Sequence, residues 1–483
     1  MTMEIPAVQS ERKRRRQMRA FTLIWAGLTL VLGLATFVAI FLASGLLLPE
    51  SSGQVVVSAA EISQPTALPT RIVAATPIPQ LAQAQPTSTP AVVAQVPTVT
   101  ATEPPEPTPE PTLPFIERTD FDFGIQVQES YDIYEYWMTV VKDQLHMDWI
   151  KHQTRWEVME PQKGNIDWTI LDIVIPEAHK KGVNVMLSIV TAPDWARQPG
   201  ADLSKHGPPA NPQDYVNFVT AILNRYLDEY PGTIGAIEVW NEMNLDREWA
   251  SVNGLSSREY ITLLAATYNA IKAIDPGIIV ISGALSPGGG WTEPDGRVSA
   301  IDDFTYLDAL LNNGMLNYAD CVGAHHNGYN IGPLVAWDVA PREPEARTAR
   351  FRGPFDNPHH SWSMYSTLTT YANKIQLAGG NQRLCVTEFG WAVSEDLGGY
   401  PRGFEFAQDN TLQEQAEYFI EAVQWFEESG IIWLAWIWNL NYGAQAGFDP
   451  SNDNVPYSIL RPDSKPAPAW DAIAQYRLER FGP

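Results

Sequence analysis

Eight short apolar runs, separated by stretches of helical period, predict a (β/α)₈ barrel over residues 115–483 of this 483-residue chain. Three observations carry that prediction. The strand-like runs number eight, the stretches between them open with helix-start signals, and several runs end in polar residues that a closed barrel would gather on one rim. A doubly wound open sheet is the competing arrangement. A glycine-rich phosphate turn after the first strand would favour it, and GIQVQESYD is not one.

In order, the strands are expected at FDFGIQVQ (121–128), WIKHQTRW (149–156), VNVMLSIV (183–190), GAIEVWNE (235–242), GIIVISGA (277–284), CVGAHHN (321–327), RLCVTEFG (383–390) and IIWLAWIWNL (431–440). Helix starts are marked by Asn211 followed by Pro212, and by the boxes Ser256 to Glu259 and Thr411 to Glu414. In each, a short polar side chain can accept from the otherwise unpaired amides of the first turn.

The barrel is preceded by three segments of different composition. Arg12, Lys13, Arg14, Arg15, Arg16 and Arg19 form a basic tail (1–20) before an uncharged apolar run, 21–48. That run is long enough to cross a hydrocarbon core of roughly 30 Å as one helix, and it exceeds the apolar core of a cleaved signal peptide. A retained anchor is expected, with the basic flank in the cytoplasm and the remainder outside. Residues 49–114, with QPTSTPAVVAQ and ATEPPEPTPEPTLP, read as a disordered Pro/Thr-rich spacer.

The formal charge of −24 argues against nucleic acid or anionic lipid surfaces as partners. No metal-ligand spacing is present, and no metal or cofactor is expected. Cys321 and Cys385 fall in neighbouring strands; adjacent parallel strands rarely offer disulfide geometry, so buried thiols are expected.

Active sites of such barrels lie at the C-terminal strand ends. Arg155 ends the second strand, Glu242 the fourth, Glu388 the seventh and Asn439 the eighth, with His325 and His326 on the sixth. A carboxylate closing an apolar run is costly unless water, a partner or a reaction accounts for it. Two of them facing each other suit glycoside cleavage, in which one carboxyl protonates the departing oxygen while the other attacks the anomeric carbon.

The motifs EVWNEMN, VTEFGW and WIWNL resemble those of clan A glycoside hydrolases, the retaining (β/α)₈ enzymes. The resemblance extends through WEVMEPQKGNIDW, LSIVTAPDWA, AIKAIDPGIIVISGAL and PYSILRPDSKPAPAWDAI, and is nearest to family 39 and cellulase-like members. It implies Glu242 as acid/base, Glu388 as nucleophile and Asn241 as donor to the sugar 2-hydroxyl. It also implies Trp438 as the floor of the catalytic subsite.

Lys151, Gln153 and Arg155 share a strand face; one of them is expected either at the nucleophile or a sugar hydroxyl, with Lys151 and Arg155 the candidates, or in a buried ion pair. His325 and His326 are the candidates for the sugar pocket, one of them lining it and the other a lining or a structural histidine. Trp195, Trp391 and Trp436 join Trp438 as candidate stacking platforms for sugar faces. Clan members often carry His-x-Tyr on the sixth strand, with the tyrosine touching the nucleophile. AHHNGYN departs from this, placing Tyr329 farther along. Glu238 is expected as a hydrogen-bonded interior residue.

The expected partner is an oligo- or polysaccharide with β-linkages; xylosidase, glucanase, mannanase and exopolysaccharide hydrolase activities all fit. Two alternatives share these residues or this fold: a transglycosylase, and a non-catalytic glycan-binding barrel.

Overall fold

The computed structural model describes residues 120–128, 130–339 and 359–482. The expected tail, anchor and spacer lie outside the described residues. Among the described residues, no helix is long and apolar enough to cross a membrane.

Eight parallel strands form one sheet: β1 (Asp122–Gln126), β2 (Trp149–Arg155), β3 (Asn184–Val190), β4 (Ile234–Val239), β5 (Ile279–Ser282), β6 (Val322–Gly328), β7 (Leu384–Trp391) and β8 (Ile432–Ile437). Their order is 5-4-3-2-1-8-7-6. The two ends meet through parallel bridges Ile281 to Cys321 and Leu285 to Ala324, which close the barrel. Gly323 permits this closure, because a Cβ there would lie 2.0 Å from the Ser282 carbonyl oxygen.

Each strand is followed by a helix: α1 (Tyr134–Thr139), α2 (Leu171–Lys181), α3 (Pro212–Tyr226), α4 (Ser257–Ile274), α5 (Asp303–Asn312), α6 (Met364–Leu377), α7 (Leu412–Ser429) and α8 (Pro468–Phe481). The sequence caps are realised. Asn211 accepts from the Gln213 amide with Pro212 in the first turn, and Thr411 and Glu414 form a reciprocal box. Ser256 accepts from the Glu259 amide, but the Glu259 carboxylate turns to Ser251 instead of completing the box.

Strand alternation divides the apolar residues between two cores. Outward residues such as Val386, Phe389 and Ile437 pack beneath the helices. Inward ones, Met186, Ala236, Ile281, Cys321, Cys385, Leu434 and Trp436, fill the barrel bottom. Here one expectation is corrected. Cys321 and Cys385 are joined as a disulfide, with Cα atoms 5.8 Å apart. The strand register aligns Cys385 with Gly323 rather than with Cys321. That two-residue offset puts both side chains inward and within bridging reach, where directly paired residues of parallel strands rarely are.

Candidate active site

The chain turns sharply after β4. Trp240 and Glu242 both have positive φ, 76° and 40°, a conformation that side chains other than glycine rarely adopt and that clusters at functional sites. What holds it is a set of bonds to the loop after β5. The Glu242 amide donates to Ala284 O (2.9 Å). Asn244 donates to Ser286 O (2.9 Å) and accepts from the Ser286 amide (2.9 Å). The result projects the Glu242 carboxylate over the barrel mouth.

Glu388 arrives there by a different device. In β7, Val386 pairs with Ala324 and Glu388 with His325, so Thr387 is the extra residue of a bulge. A bulge re-aims consecutive side chains. Thr387 bonds the interior Glu238 (2.7 Å), and Glu388 faces the mouth. Glu238 is fully buried, also accepts from the Ala284 amide (3.3 Å), and stands 3.9 Å from Lys151, the interior role expected of it. Lys151, fully buried, donates to Glu388 Oε1 (2.7 Å). It lies 5.8 Å from the centre of the Trp438 ring. Of the hydrogen bonds to Glu388 among the described residues, one comes from Lys151 and a longer one from Asn327 (3.5 Å), and none from a tyrosine.

His325 stands between the two glutamates. Its Nδ1 is 3.1 Å from Glu242 Oε1 and 3.7 Å from Glu388 Oε2. The nearer oxygens of the two carboxylates therefore lie no more than about 7 Å apart, within the range over which two carboxyl groups act on one glycosidic bond. Burial disfavours charge on His325, but Glu388 and the bond to Glu242 outweigh it and raise its proton affinity. Burial likewise pushes the Glu242 carboxyl up. The His325 bond and Arg247, whose guanidinium donates to Oε2 at 2.9 Å, outweigh this and hold Glu242 at about 2. Both shifts favour the charged pair, an imidazolium against a carboxylate.

The glutamates open into a cavity of about 510 Å³, a size typical of small-molecule sites. Asn241, His325, His326, Tyr329 and Trp438 line it. Asn241 brings a buried Oδ1 that has no protein partner among the described residues. His326 bonds the Ser361 carbonyl (3.1 Å), and burial lowers its pKa to about 4. Tyr329 packs edge-on to Phe406, with ring centres 5.0 Å apart.

Other expected residues are not at the cavity. Arg155, last in β2, extends into solvent and pairs with Glu157. Trp391 falls on the outward face of β7, where it packs against Tyr418 and Phe419. Trp436 points inward but belongs to the barrel bottom, against Trp149. Trp195 buttresses the loops above β2 and β3, donating to Glu160 O (2.8 Å) and meeting Trp156 edge-on. Asn439, buried beside Trp438, donates to Asn454 O (3.2 Å) and supports the rim.

Arg247, Glu248, Asp453, Phe404, Phe406 and Tyr457 also line the cavity and were not singled out by sequence. All come from loops or from single 3-10 turns within them, too short to show a period. The spacing Glu242 to Arg247 was the one available signal, since the pair meets within a single turn of chain.

Residues 139–275, which include Glu242 and not Glu388, match the sequence profile of a glycoside hydrolase family, family 42, described as β-galactosidase. No curated protein matches the chain. Among solved structures, a family 39 glycoside hydrolase from Bacteroides cellulosilyticus WH2 is 17% identical, with a TM-score of 0.50 over 73% of this chain and 62% of that one. The match thus spans less than two thirds of the Bacteroides enzyme. A family 39 enzyme from Xanthomonas axonopodis pv. citri is 16% identical, covering 75% of this chain and 67% of that one, with a TM-score of 0.49. At these identities the structural likeness is one of fold. The resemblance read from the sequence agrees with both comparisons: the matching profile and the Bacteroides structure are those of glycoside hydrolases, and this chain shares the barrel fold.

Proposed function

We propose that the chain is a retaining glycosidase cleaving a β-linked glycan by double displacement, with Glu388 as nucleophile and Glu242 as acid/base. One observation carries the reading: two carboxylates from β4 and β7 meet at one imidazole on the floor of a polar cavity. Lys151 holds Glu388 against the position of an anomeric carbon. Asn241 bonds the 2-hydroxyl, an interaction that strengthens as charge develops next to it. Trp438 supplies the apolar floor.

The acid role requires a proton on Glu242, which the His325 bond and Arg247 disfavour by lowering its pKa. A leaving-group oxygen that displaces Arg247 from Glu242 removes one of the two cations depressing its pKa, and the proton then passes along the bond from Nδ1 to Oε1. In the second step the same carboxylate takes a proton from water. The test is to screen full-length protein against aryl β-glycosides and polysaccharides and to follow product configuration by NMR. Retention is expected; inversion, or no turnover on any β-glycoside, sinks the reading. Adding acceptor sugars separates hydrolysis from transglycosylation.

A pH prediction follows. A group of raised pKa keeps its proton as pH rises past the ordinary value, here 6.5, and loses it at the raised one. Cleavage of unactivated glycosides should therefore fall along a basic limb lying above pH 6.5, and His325→Gln should abolish or displace that limb. An unchanged kcat/KM profile in the variant would exclude His325 as the proton store.

We also propose that residues 21–48 tether the enzyme, with the barrel on the extracytoplasmic side. The buried disulfide fits an oxidising compartment. Full-length protein should sediment with membranes and resist carbonate extraction; a mature N-terminus just after residue 48 would show cleavage instead.

A further inference from the structure

We propose that Asp302, His359 and His360 form a binding site for a divalent transition-metal ion, zinc(II) in the first instance. One donor atom from each lies within 4.8 Å of the others. Tetrahedral zinc with nitrogen and oxygen ligands at about 2.0–2.2 Å needs donors about 3.3–3.6 Å apart. His359 Nε2 and Asp302 Oδ2 are already at 3.5 Å. That separation is long for a hydrogen bond and suits the edge of a coordination shell.

The surrounding bonds assign the remaining atoms. Asp302 caps α5 through Oδ1, which accepts from the Thr305 amide (3.1 Å), and so leaves Oδ2 for a ligand. His359 Nδ1 accepts from the Ser361 amide (3.3 Å) and meets Ser361 Oγ (2.8 Å); zinc at Nε2 would move the ring proton to Nδ1, exchanging the amide bond for donation to Ser361 Oγ. His360 Nε2 is 2.7 Å from Asp303 Oδ1, which leaves Nδ1 to coordinate. Asp303 is fully buried and itself fixed by Tyr371 Oη (2.6 Å) and the Gly288 amide (3.0 Å). The His360 ring also lies flat on Phe304, centres 3.5 Å apart. A carboxylate holding the far nitrogen of an imidazole is the usual support of a metal-bound histidine. All three ligands are partly buried, with side chains 13–27% exposed, unlike acidic residues scattered on a surface.

Two imidazoles and one carboxylate favour zinc and its neighbours over calcium or magnesium, which prefer oxygen donors. The site lies outside the catalytic pair but adjoins the cavity. Ser361, the next residue, lines the cavity, and its carbonyl bonds His326. A bound ion would fix this segment to the start of α5 and so fix one wall of the cavity. The proposal is independent of the glycosidase reading.

The test uses untagged full-length protein stripped with dipicolinate, dialysed, and titrated with zinc(II) by calorimetry, with metal content measured by mass spectrometry. One equivalent per chain is expected, with a Kd below about 1 μM. The melting temperature should rise on saturation. Asp302→Asn keeps a capping side chain of similar strength and removes the anionic ligand. It should raise Kd at least about tenfold, and His360→Gln should do the same, each reducing the zinc-dependent melting shift at a fixed zinc concentration. Failure to bind one equivalent, or wild-type affinity in either variant, overturns the site.

Discussion

Glu388→Ala is expected to lose turnover by about 10⁴-fold or more on every glycoside, activated or not, because no glycosyl–enzyme intermediate can form without the attacking carboxylate. The same change leaves the buried Lys151 facing only Glu238, at 3.9 Å. Removing one partner of such a pair costs about 3–5 kcal/mol, so loss of activity alone would not separate lost chemistry from a weakened fold. Azide does. A folded variant with a vacated nucleophile position should admit the anion and give a glycosyl azide of inverted configuration, measured by NMR on an activated aryl glycoside. Substantial residual turnover without azide would remove Glu388 from the nucleophile role.

Glu242→Ala should divide substrates by leaving group. Unactivated glycosides, whose oxygen needs a proton to depart, should slow by about 10²–10⁴-fold. Aryl glycosides with acidic phenols should form the intermediate at a rate much nearer wild type and then stall, because water lacks its base. A burst followed by slow turnover is the expected trace, with azide accelerating the slow phase and configuration retained. Equal losses on both substrate types would mean that Glu242 does not supply the proton. The variant also frees Arg247, whose side chain is 63% exposed, so its stability should change far less than that of the Glu388 variant.

The strands were legible because parallel barrel strands, covered on both faces, are near-continuous apolar runs, and every expected run overlaps an observed strand. Glu242 and Glu388 stood out as carboxylates ending such runs. Alternation was the limit. Trp391 and Trp436 sit near strand ends, but the face and depth of each depend on register, and in β7 a bulge shifts that register at Thr387. The same cause hid the disulfide, which needs Cys321 and Cys385 to be offset by two positions. Arg155 failed for another reason: its face was read correctly, but it lies beyond the last covered turn of the barrel. Arg247 and the Asp302, His359 and His360 cluster depend on loop paths and on contacts between distant segments, which carry no periodic signal.

Cys321 and Cys385 are 64 residues apart in sequence, so their bond closes a covalent ring containing β6, α6 and the start of β7. By chain entropy alone, a ring of that size favours the folded barrel by about 4 kcal/mol. The ring also has a topological effect. A backbone cut anywhere between the two cysteines, including residues 340–358, divides the chain into pieces that stay linked at the barrel bottom. The strand presenting His325 and the strand presenting Glu388 would remain one molecule, parted only when the bond is reduced. Hydrolysis within that span costs the enzyme a peptide bond without releasing either half of its mouth.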